Sequence, residues 1–113
     1  MKLDYWTLVN YAHVLISAPL FIYVGYRDGQ VVDWLYPICL YLGIIILLYH
    51  AYLTATNYQK GNSMYIVNAF HVFVIAPLLI YVGIKKENTS YPIPTLMFIL
   101  GIGALVHYIK KLV

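Results

Sequence analysis

Four histidines, His13, His50, His71 and His107, stand out in a chain otherwise poor in side chains that do chemistry. Two share a setting. Asn10 precedes His13 by three residues and Asn68 precedes His71 by three, a spacing that puts amide and imidazole on one face of a helix. Three kinds of chemistry suit this pattern. Polar side chains inside lipid bond across helices and fix how the helices pack. Two imidazoles that face each other can supply axial nitrogens to a b-type haem, or ligands to a transition metal, with His13 and His71 as the matched pair. Histidine also titrates near neutral pH, so a row of them can serve a proton- or ion-conducting oligomer.

The surrounding residues weigh these readings against one another. No acidic residue lies inside an apolar stretch to receive a proton, and no CxxCH marks a covalent haem site. No ligand spacing names a metal, so haem b and a transition metal both stay open as cofactors. HExxH, GxSxG, a glycine-rich phosphate loop and paired carboxylates at helical spacing are all missing, so no residue is assigned a catalytic role and the chain reads as non-enzymatic. The lone Cys39 forms no intramolecular disulfide and reads as a small apolar residue. Pro19 and Pro77 each fall six residues after a repeated histidine, where proline removes a backbone donor and bends the helix. Gly43 stands seven residues before His50 and Gly103 four before His107, positions that favour close packing of helices.

The elements that must position these residues follow from where charge is absent. The chain has 113 residues, of which 63% are hydrophobic and 10% charged, with a mean hydropathy of +0.77. An ordinary soluble domain carries about a quarter charged residues, so there is too little charge here to coat a globule. Charged residues cut the chain into uncharged intervals at 5–26, 34–59, 61–84 and 88–109. Each is long enough to cross about 30 Å of hydrocarbon as a helix. The pattern predicts an all-α, polytopic membrane protein with four transmembrane helices, about 6–26, 35–55, 64–84 and 93–109. Several tyrosines lie near the ends of these segments, where amphipathic rings suit the headgroup zone.

The chain also repeats itself. VNYAHVLISAPLFIYVGY at 9–26 and VNAFHVFVIAPLLIYVGI at 67–84 share 11 of 18 residues at an offset of 58. LGIIILLYH, ending at His50, resembles LGIGALVH, ending at His107, with one residue fewer in the second copy. We therefore expect one transmembrane domain over 1–113, made of two tandem helical hairpins, repeat one about 5–57 and repeat two about 63–113. Copies with an even number of crossings repeat in one orientation, which predicts a pseudo-twofold four-helix bundle about the membrane normal. All four histidines then gather on the side of the termini. Because duplication copies a histidine, four histidines amount to about two independent observations.

Seven Lys/Arg against four Asp/Glu give a net charge of +3, without the basic run that tracks a phosphate backbone, so nucleic acid is excluded as a partner. Lys2, Lys60, Lys110 and Lys111 lie on one side of the expected topology, against Arg27, Lys85 and Lys86 on the other. The excess favours both termini on one side, in the cytoplasm. The repeated NxxHVxxxAPLxIYVG followed by LGIxxLxxH resembles small, uncharacterised four-helix membrane proteins encoded by large DNA viruses of protists. The resemblance covers nearly the whole chain and implies a virion or virus-induced membrane, with no catalytic role to carry over. The expectation is a structural or assembly protein, partnered by the bilayer and by copies of itself or other membrane proteins, whose Asn/His patch fixes helix packing. Haem or metal binding and ion conduction are the alternatives.

Overall fold

A computed structural model describes residues 5–112, apart from the side chain of Trp6; Lys2 lies outside the described residues. Among these residues the secondary structure is helical, without a strand. Four helices account for most of it: α1 (5–26), α2 (Leu35–Gln59), α3 (65–85) and α4 (Ile93–Leu112), with a short 3-10 turn at Lys86–Asn88. The stretches Thr7–Tyr26, Leu35–Gln59, Tyr65–Asn88 and Ile93–Leu112 contain 20, 25, 24 and 20 residues and are long and apolar enough to cross a membrane. Their ends fall where the charged or turn-forming residues stop the apolar runs. Pro37 and Pro94 lie within the first turns of α2 and α4, where a missing backbone donor costs nothing.

Helices α1 and α3 are not regular throughout. Each contains one π-helical turn, at His13–Ser17 and at His71–Ile75. The backbone N–H of Ala18 donates to the carbonyl of His13, and that of Ala76 to the carbonyl of His71, five residues back in each case. The cause is the next residue. Pro19 and Pro77 have no N–H to give, and in a tight α-turn the proline ring would strike the carbonyl four residues earlier. A widened turn ahead of the proline relieves that clash, and α-helix resumes with the proline in its first turn.

The chain divides into two compact units, one of 5–31 with 89–112 and the other of 32–88. In the first, α1 packs along α4; in the second, α2 packs along α3. Both pairs are antiparallel, since the end of α1 meets the start of α4 and the start of α2 meets the end of α3. The units thus do not follow the order of the chain: each draws one helix from 5–59 and one from 65–112. The core of the first unit holds Ala18, Phe21, Val24, Pro94, Met97 and Gly101; that of the second holds Ala76, Leu79, Val82, Tyr36, Cys39 and Gly43. Taken pairwise, these positions differ by 58. The turns follow the same offset: Asp28 and Lys86 both take positive φ, 56° and 54°.

α2 ends in a turn whose geometry explains its sequence. Gly61, at φ 71°, donates to the carbonyl of Tyr58, and Asn62 donates to that of Asn57. This is the left-handed helix stop that glycine adopts without steric cost. Outward-facing side chains of the helices are large and apolar, among them Leu15, Ile16, Ile45, Leu48, Phe73 and Ile99. An apolar surface of this kind requires an apolar solvent or a further partner.

Candidate functional site

The site is built twice, once in each unit. In the first, the ring of His13 stacks on that of Tyr108 across the α1–α4 pair, with centroids 4.2 Å apart and planes 19° from parallel. In the second, His71 stacks on His50 across α2–α3, at 4.4 Å and 8°. His13 and His71 each open a π-turn, so the widened backbone begins at the stacked ring. Neighbouring rings then frame each stack edge-on: Tyr49 meets His50 at 5.3 Å, and His107 meets Tyr108 at 4.9 Å.

Hydrogen bonds along each helix set the imidazole orientation. Nδ1 of His13 lies 2.8 Å from the carbonyl of Val9, Nδ1 of His71 2.8 Å from that of Val67, and Nδ1 of His50 3.0 Å from that of Ile46. A carbonyl only accepts, so Nδ1 carries the proton in all three and Nε2 carries the lone pair of the neutral ring. Two things are therefore decided locally, the tautomer by the residue four positions back and the ring face by the opposite helix. Asn10 is half-buried, while its counterpart Asn68 is buried at 7% exposure on α3.

Sequence positions and structural positions correspond with two shifts. His107 is exposed and lies at the edge of the site, whereas Tyr108 provides the stacked ring. The identity match of His50 with His107 needs a one-residue gap, and a continuous helix leaves no room for one. At an unbroken offset of 58, His50 corresponds to Tyr108 and Tyr49 to His107, with the two residue types exchanged. The same slip moves the glycine: Gly103 is exposed with open space around it, and the close approach falls to Gly101, the counterpart of Gly43.

Glycines at four places let the helices touch. A Cβ at Gly43 would lie 2.8 Å from Cγ1 of Ile80, and one at Gly101 would lie 2.8 Å from Cγ1 of Ile22. At Gly25 it would lie 2.5 Å from Cβ of Phe98, and at Gly83 2.6 Å from Cβ of Leu40. Real side chains do not approach so closely, so any larger residue forces the helices apart. Gly25 and Gly83 had no place among the expected close-packing residues, although both sit in the repeated IYVG and could have been found by asking why glycine recurs there.

The arrangement also bears on metal chemistry. Two imidazoles that ligate one ion must both hold it close to their ring planes. His50 and His71 lie in separate, nearly parallel planes face to face, so this pair does not fit a shared metal or a single haem iron. His13 and His71, the pair expected as axial ligands, fall one in each unit. Among the described residues, no group of three or more His, Cys, Asp or Glu side chains gathers to hold an ion. No family model, curated protein or solved structure matches the chain.

Proposed function

We propose that the chain is a small integral membrane protein of structural or assembly type. Four spans form a duplicated helical hairpin, and the Asn/His region fixes how the helices pack. The observation that carries this reading is the pair of ring stacks, His13 on Tyr108 and His71 on His50, each on a helix pair that also carries two glycine contacts and each recurring at an offset of 58. Two features add support. The apolar residues that cover the outside of the helices need hydrocarbon around them, and the polar groups of the histidines are partly satisfied by carbonyls of their own helices. Ring stacking then supplies the cross-helix contact, with an aromatic pair contributing about 0.5–1.5 kcal/mol beyond its buried area.

The test is an absorption spectrum with metal analysis on the purified, detergent-solubilised protein. A packing role for the histidines gives a preparation without a Soret band or stoichiometric metal. A Soret band that disappears on His13→Ala or His71→Ala would replace this reading with a redox one.

A further inference from the structure

The close helix contacts described above have a common property: each joins a residue of the first repeat to one of the second. Gly25 meets Phe98, Gly43 meets Ile80, Gly83 meets Leu40 and Gly101 meets Ile22. The ring stacks do the same, His13 with Tyr108 and His50 with His71. One chain segment links the halves, the turn at 60–64. It is held by backbone bonds of Lys60 to Thr56, Gly61 to Tyr58 and Asn62 to Asn57, and by Asn62 Oδ1 accepting from the N–H of Met64. Five residues drawn out span up to about 17 Å, whereas packed helices lie about 8–10 Å apart.

We infer that the packing face of each repeat accepts the complementary repeat of a second copy of this chain, so that the protein exchanges halves into a swapped dimer with 60–64 as the hinge. The inference rests on the duplicated, membrane-embedded reading above. In the exchanged form His13 of one copy stacks on Tyr108 of the other, and the four glycine contacts form between copies. Exchange conserves those contacts, so the balance between the two forms is set by the turn and by the concentration of chains. Confinement to a bilayer raises that concentration.

Complementation of full-length chains tests this. One variant carries Gly25→Ala and Gly43→Ala, which fill the notches of repeat one; the other carries Gly83→Ala and Gly101→Ala, which fill those of repeat two. Alone, each has one of two notches blocked in both units. Alanine keeps the helices apolar, so insertion is preserved. When the two are co-expressed, repeat one of the second variant and repeat two of the first rebuild one half-assembly with all four notches open, while the other half has all four blocked and stays unpacked. One intact half then holds the mixed pair together, whereas every half of a self pair has two notches blocked. The expected result is recovery of the first variant with the tagged second at about tenfold or more above its recovery with a tagged copy of itself. Equal recovery of the mixed and self pairs, with both variants inserted, overturns the exchange.

A second measurement leaves the notches intact. Chains with Cys39→Ala are mixed, half bearing His13→Cys and half Tyr108→Cys, and treated with a short flexible thiol-to-thiol cross-linker whose reach is established on a chain bearing both substitutions. The mixture should cross-link chain to chain well above either variant alone, and a product that is monomeric, or no more dimeric than either variant alone, overturns the inference. Extraction of the wild-type chain from membranes by alkaline carbonate is the separate outcome that would defeat the membrane reading itself.

Discussion

His50 and Tyr108 hold the same place in the two units, each stacked on the histidine that opens a π-turn, yet one is an imidazole and the other a phenol. The shared requirement is therefore a flat ring, and ionisation or metal ligation by both partners is not part of it. His50→Tyr recreates the pair found at Tyr108 and gives up the bond from Nδ1 to the carbonyl of Ile46. His50→Leu gives up the ring as well. Thermal unfolding in lipid nanodiscs should show His50→Tyr within about 0.5–1.5 kcal/mol of the wild type, with His50→Leu a further 0.5–1.5 kcal/mol worse. Equal losses would remove ring stacking as the reason for the site. At this scale the histidines were legible as a pattern but their partners were not. Matching letter to letter paired His50 with His107, while helix continuity pairs it with Tyr108, because a backbone cannot skip a residue to keep two identical letters aligned.

The helix elements show why the wide turns matter. His71 and Gly83 are twelve residues apart, and in a regular α-helix at 100° per residue they would point about 120° away from each other. Both nevertheless meet α2, His71 through His50 and Gly83 through Leu40. A π-turn takes up one extra residue, which brings the two positions to within about 20°. The same holds for His13 and Gly25 against α4. Pro19 and Pro77 thus act by setting helix phase. In a Pro77→Ala background, where the residue no longer demands a widened turn, deleting exposed Phe73 should let the helix close as a regular α-helix with both contacts retained, whereas inserting one alanine after Phe73 turns Gly83 about 100° further off its face. Stability measurements should find the insertion about 2 kcal/mol or more worse than the deletion. Matching losses would mean that the wide turn does not govern phase. Helix number and ends were legible because charge and apolar length dictate them: the expected 35–55 and 93–109 compare with Leu35–Gln59 and Ile93–Leu112. The π-turns were not, because periodicity arguments assume a constant 3.6 residues per turn, and a proline says that a turn must change without saying how.

For the whole molecule, the distribution of charge sets a testable orientation. In the segments that join α1 to α2 and α3 to α4, together with the last residue of α3, Arg27, Lys85 and Lys86 are balanced by Asp28, Asp33 and Glu87. Lys60, Lys110 and Lys111 face no acidic residue among the described ones, and all three are exposed. The positive-inside preference counts Lys and Arg on short segments near the span ends and gives acidic residues little weight, so the imbalance is four with Lys2 against three. So narrow a margin makes orientation sensitive to single charges. In a Cys39→Ala background, cysteines placed one at a time at Lys60, Lys111, Arg27 and Lys85 should label from two sides, the first two from the cytoplasm and the last two from the opposite face. Lys110→Gln with Lys111→Gln reverses the count to two against three, and should move a substantial share of the chains into the inverted orientation. The lysine at 111 also lies over the ring of Tyr108, 5.7 Å from its centroid, so Lys111→Gln alone serves as the control for that contact. If the double variant labels like the wild type, orientation is held by something other than the flanking charges; if position 60 and position 27 label from one side, the four-span arrangement itself falls.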